Sequence, residues 1–236
     1  MSSRERQGPQ VKKTGPILTE RLIVTFTKKA LTLLISAALV LADISGFGLQ
    51  AQPSIASQVQ TADASAQDRQ QFMVENEDAA IQACLLLALA QERYKATLHS
   101  DDPESHYATH FVSSPGKQDG LYSGPESSIP AFLANAGVND DAQDNPPAPY
   151  AGYYFRILTQ QGKSARGGAQ NYLVNGRLTA GFAFVAYPAE YRASGVMTFI
   201  VDQDNIVYQK DLGPETVNMA QAITRYNPGE GWRQAE

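Results

Sequence analysis

Between Gly152 and Gly213 the chain is cut into short apolar and aromatic runs by turn-forming residues, and few folds accommodate that pattern. Residues 152–158, 182–187, 196–201 and 206–210 are each rich in Val, Ile, Phe or Tyr and bounded by Gly, Pro, Asp or Asn, as β-strands are. Residues 202–205 (Asp-Gln-Asp-Asn) carry the side chains of a tight hairpin between the last two strands. Gly213 and Pro214 end the sheet, and residues 215–225 are expected to form a short closing helix.

Upstream, residues 75–98 hold no Gly or Pro, and Ala80, Ile81, Cys84, Leu85, Ala88 and Leu89 recur at spacings of three and four. Acidic residues gather at the start of this stretch and basic ones near its end, which suits the helix dipole. The expected fold is α+β: a long N-terminal helix packed on an antiparallel sheet of about four strands, followed by a short C-terminal helix. A loop region, residues 100–149, separates helix and sheet. Residues 53–71 are rich in Ala, Ser and Gln without an apolar period and are expected to be a flexible tether. The domain plan is therefore 1–51, a signal peptide or membrane anchor; 52–71, the tether; and 72–236, a single globular domain.

The N-terminal assignment rests on charge. Seven basic residues, Arg4, Arg6, Lys12, Lys13, Arg21, Lys28 and Lys29, precede the apolar run 30–42, which is shorter than a spanning helix needs and ends at Asp43, Ser45 and Gly46. This is the secretory signal design, with cleavage expected after Ala51; uncleaved, residues 30–48 would anchor the chain to a membrane. Residues 12–20, with Gly15 and Glu20, also resemble a type IV prepilin leader, although Arg21, Lys28 and Lys29 interrupt the apolar helix that design requires. The expected location is periplasmic or extracellular.

Of 19 basic and 24 acidic residues, seven and three precede Gln52, leaving 12 and 21 and a net charge of −9. Such a surface repels nucleic acid and anionic lipid, so neither is an expected partner, and the membrane enters only through an uncleaved N-terminal segment. The single cysteine, Cys84, excludes an internal disulfide and is expected to be a buried thiol on the helix face.

Candidate chemistry is sparse. His106 and His110 have helical spacing, with Asp101, Asp102 and Glu104 nearby, but Pro103 breaks a helix there, so solvated loop histidines are expected rather than a metal site. Asp202, Asp204 and Asn205 offer three oxygen ligands where calcium takes six to eight. Glu190 and Asp211 are isolated at strand ends. No serine sits in a Gly-x-Ser-x-Gly elbow, and residues 162–168, with Lys163 and Arg166, lack phosphate-loop spacing. No catalytic, cofactor-binding or metal residue is assigned, and no cofactor is expected. Tyr150, Tyr153, Tyr154, Phe155, Phe182, Phe184, Tyr187 and Tyr191 are dense enough to fill a small core and to leave an aromatic sheet face for a protein or glycan partner.

Several motifs carry a resemblance. Asn76-Glu77, Ala80-Ile81, Ala90-Gln91 and Tyr94, then Gly116-Lys117 and Asp119-Gly120-Leu121-Tyr122, then the run from Gly152 to Leu158, resemble the bacterial domain-of-unknown-function 2950 family. The likeness continues through Gly167-Gly168-Ala169, Gly181-Phe182-Ala183, Ala186-Tyr187-Pro188, the run from Gly195 to Val201 and that from Val207 to Gly213, so that it covers about residues 72–232. It implies an exported protein of unknown activity. Longer members carry a further N-terminal segment with Trp- and Pro-rich motifs, where this chain has only residues 53–71; the resemblance implies that any activity of that segment is missing here. Residues 76–94 and 195–208 are also similar to the globular heads of type IV pilins and pseudopilins, which implies a pilin-like helix-on-sheet plan. The expectation is a non-catalytic binding or structural domain of the cell envelope, with a periplasmic hydrolase drawing on the acids of residues 100–145, or a minor pilin-like subunit, as the alternatives.

Overall fold

The computed structural model describes residues 55–97, 104–138 and 147–235, with side chains from Ser65 onward; the expected signal segment, its anchor and the prepilin-like leader lie outside the described residues. The first element, α1 (Ile55–Ala96), starts inside the stretch expected to be a tether. Its Ala- and Gln-rich N-terminal half has good helix formers and no Gly or Pro, which suffices for a helix contiguous with a packed one. Where the side chains of this half are described, Ser65 through Phe72 are all exposed. At 1.5 Å per residue α1 is about 60 Å long.

The packed half buries Asn76, Ala80, Ala83, Cys84, Leu87, Ala88, Ala90, Gln91 and Tyr94. Leu89, expected on this face, is 45% exposed. Small side chains form the contact because the sheet beneath supplies the bulk: Tyr153, Phe155, Phe184 and Phe199 are fully buried, and alanines let the helix axis come close to them.

Four strands follow the expected order: β3 (Tyr153–Leu158), β8 (Ala183–Pro188), β9 (Met197–Asp202) and β10 (Tyr208–Asp211). A fifth, β11 (Arg233–Gln234), extends the sheet to the order β11-β10-β9-β8-β3, antiparallel throughout. Before the sheet lie the short parallel pair β1 (His110–Val112) and β2 (Gly120–Tyr122) and the single turn α2 (Ala131–Ala134). Between β3 and β8 the chain makes two small ladders, β4 (Gln160–Gln161) with β5 (Gln170–Asn171), and β6 (Leu173–Val174) with β7 (Arg177–Leu178).

All six residues of β8 are buried, because both faces of the sheet are covered. On one side α1 packs over β8 and β9; on the other α3 (Thr216–Gln221) packs on β8. Arg156, on β3, is the staple for α3: its Nη2 donates to the carbonyl oxygens of Ala220, Gln221 and Ile223. A guanidinium is a favourable occupant of a helix C-terminus, where carbonyls are otherwise unpaired.

Candidate functional site

The histidines separate instead of sharing a face. His106 is buried, not solvated: its ring lies 5.8 Å from that of Tyr94 and its Nδ1 is 3.0 Å from the Tyr107 carbonyl oxygen. It belongs to a short buried run, His106 to Ala108, that packs beneath the C-terminal end of α1, with the Gln91 carboxamide hydrogen-bonded to the Ala108 backbone. His110, on β1, is partly exposed, with Nδ1 2.9 Å from Thr109 Oγ1 and 3.9 Å from Asp119 Oδ2. Asp119 accepts hydrogen bonds from the Ser114 N–H (2.7 Å) and hydroxyl (2.9 Å). Burial would raise its pKa, but these bonds and the nearby His110 hold it below the ordinary value. Ser114 thus donates to the carboxylate, not to an imidazole, which is the wrong wiring for a nucleophilic triad. Among the described residues no three His, Cys, Asp or Glu side chains converge as metal ligands; Asp101 and Asp102 lie outside them.

The most perturbed carboxyl is Asp202, at the end of β9. It is 2% exposed, and burial pushes its pKa up to about 6, partly offset by hydrogen bonds from the Asp204 N–H (3.0 Å) and the Tyr226 hydroxyl. The hairpin expected at residues 202–205 is present, closed by the Asn205 N–H on the Asp202 carbonyl at 3.0 Å with Asn205 at φ 59°. Tyr172 lies close by; its hydroxyl donates to Gln161 Oε1 at 2.6 Å, and Gln161 Nε2 donates to the carbonyls of Arg166 and Gly168. Residues 162–168 therefore wrap around a buried carboxamide. Arg166 reaches Asp204 at 3.6 Å. This cluster could exchange a proton, but a side chain so enclosed cannot touch a substrate. Spacing gave no sign of it, because Tyr172 and Tyr226 approach Asp202 from segments 30 and 24 residues away in the chain.

Glu190 and Asp211 hold local structure. Asp211 accepts from the Gly213 N–H at 2.7 Å and from the Tyr191 hydroxyl at 3.3 Å, and the Glu190 N–H donates to Ser194 Oγ. Cys84 is buried, and loss of hydration pushes its thiol up to about 12, so it is not a nucleophile. Of the eight aromatics, Tyr153, Phe155, Phe182, Phe184 and Tyr187 are core, while Tyr150, Tyr154 and Tyr191 are partly exposed. Tyr150 stacks on Phe132 at 5.0 Å.

A cleft of about 180 Å³ opens where α1 meets the sheet, lined by Val74, Glu77, Asp78, Ile81, Phe199, Gln209 and Arg233. The helix packs over β8 and β9 and leaves β10 and β11 to one side. Phe199, Gln209 and Arg233 are register neighbours across β9, β10 and β11, so they form one lateral row on the helix-facing side. Val74, Asp78 and Ile81 recur at spacings of four and three and form the opposite wall, with Glu77 beside them. Glu77 Oε1 is fixed by the N–H groups of Val196 (2.7 Å) and Met197 (3.1 Å), while Asn76 donates to the Ser194 carbonyl at 2.8 Å. The sequence showed Asn76 and Glu77 as a motif, but Arg233 comes from a two-residue strand without a pattern of its own.

No curated protein and no solved structure matches the chain, so the likeness to pilin heads gains no support from either. A family profile described as protein of unknown function (DUF2950) does match, over residues 56–235. That span takes in α1 almost from its first residue, both helix-covered faces of the sheet, the Asp202 cluster and the cleft. On this match the chain belongs to the DUF2950 family of proteins of unknown function.

Proposed function

We propose that this protein is an exported envelope component that acts by binding, its α+β head carried on a helical spacer. The observation that carries the reading is the solvent-exposed stretch of α1 from Ala66 to Phe72, which precedes the packed part of the same helix. A helix that buries nothing over two turns contributes little to the core, and its use is distance. Two further features favour binding over catalysis. The strongly shifted carboxyl, Asp202, is enclosed, and Asp119 and His110 are wired into a turn. The test is the intact mass and N-terminal sequence of the protein from fractionated native cells. A start near Gln52 in the periplasm or medium, or an uncut chain in a membrane fraction, is expected. Recovery of the uncut chain with the soluble cytoplasmic proteins would sink the export reading, and a start at Pro16 in a fibre fraction would replace it with assembly.

A further inference from the structure

We infer that the cleft between α1 and the outer strands binds a small zwitterion of the amino-acid or dipeptide class, its carboxylate on Arg233 and its ammonium on Asp78 and Glu77. The inference deepens the binding function proposed above and rests on it. Size decides the class first: about 180 Å³ is below the roughly 300–1,000 Å³ of pockets for drug-sized ligands, so only a small molecule or one end of a chain fits. Charge decides it next. The acids stand on the helix wall and the guanidinium on the strand wall, and no ion pair joins Asp78 to Arg233, so a ligand with both charges can satisfy both walls.

The apolar lining completes the match. Val74 and Ile81 on the helix wall and Phe199 on the strand wall lie among the charged groups, where an aliphatic side chain would rest. Glu77 is already held in place by two backbone N–H groups, so little order is lost when an ammonium group meets its other oxygen. Arg233 and Asp78 are exposed, so the affinity is modest, and specificity comes from requiring both charges at once.

The experiment is titration calorimetry with saturation-transfer NMR on the full chain, using leucine, glycyl-leucine, N-acetylleucine and leucinamide. Saturable binding of leucine or glycyl-leucine is expected, with each singly charged analogue at least tenfold weaker. Arg233→Gln should lose at least tenfold in affinity and Arg233→Lys less; Asp78→Asn should weaken the zwitterions while leaving N-acetylleucine unchanged. Cleavage of glycyl-leucine that Arg233→Gln abolishes would keep the ligand site and overturn the non-catalytic reading instead. Absence of saturable binding by both zwitterions, or equal binding of the blocked analogues, overturns the assignment, and neither result bears on export, which fractionation decides separately.

Discussion

Asp202 ties together three segments that are distant in sequence, the β9–β10 turn, the excursion carrying Tyr172 and the C-terminal stretch carrying Tyr226. Because burial raises its pKa from the ordinary 3.8 to about 6, the fold favours the protonated acid. Its contribution to stability is fully present below pH 3.8 and is lost as pH rises through about 6. Across that window the protein should lose roughly 1–3 kcal/mol of stability through this group, since one pKa unit corresponds to about 1.4 kcal/mol. Asp119 acts in the opposite direction, but its lowered pKa confines its effect to more acid solution. Urea unfolding at a series of pH values should therefore show a slope between pH 4 and 7 that Asp202→Asn removes, with the variant more stable than the parent at pH 7. An unchanged slope would mean that Asp202 is hydrated in solution. A second residue carries backbone strain. Ala151 and Gly152 are the two central residues of a tight turn in which Tyr150 and Tyr153 exchange both backbone hydrogen bonds, at φ 47° and 70°. Both central positions of such a turn need positive φ, which alanine resists and asparagine tolerates. Ala151→Asn should raise stability by about 0.5–1 kcal/mol in thermal unfolding, and a loss would show that the turn relaxes in solution.

At the level of elements, the strands were legible because β-branched and aromatic runs between turn residues have few other uses, and the four expected in residues 152–210 are all present. The helix was legible in existence but not in extent or rotation. Its apolar period marked Leu89 as core, yet the face that meets the sheet is the alanine-rich one, because the aromatics of the sheet fill the space that large helix residues would need. The two halves of α1 should respond differently to breakage. Ala66→Pro lies in the exposed half and should lower helical content with a change in unfolding free energy within about 0.5 kcal/mol. Ala83→Leu, pushed against the sheet, should cost about 1–3 kcal/mol by overpacking. Equal effects at the two positions would mean that the exposed half is coupled to the core. The cleft was only half legible. Asn76 and Glu77 could be seen as a motif, whereas Arg233 becomes a wall residue only through a register that no local pattern announces.

For the whole molecule, the order of the sheet leaves two edges, β3 and β11, and each is managed differently. β3 is shielded at its outer side by the segment around Gly137, through the Phe155 N–H to the Ala136 carbonyl and the Val138 N–H to the Phe155 carbonyl. The opposite side ends in β11, which covers β10 over Tyr208 and Gln209 and is continued by the Ala235 N–H on the Val207 carbonyl at 2.9 Å. An uncovered strand offers unpaired N–H and C=O groups to another chain, and a very short terminal strand of charged and polar residues is a common way to prevent that. Ending the chain after Gly229 would expose the edge of β10 and remove the partly buried Trp232. The truncated protein should still show the β-sheet signal in circular dichroism, unfold at a lower temperature and self-associate in light scattering, whereas the full chain should remain monodisperse under the same conditions. A truncated protein that stays monomeric with an unchanged melting temperature would mean that β11 does not guard the edge. Full association with an unchanged melting temperature would show that the strand serves mainly to block pairing, with little part in holding the sheet together.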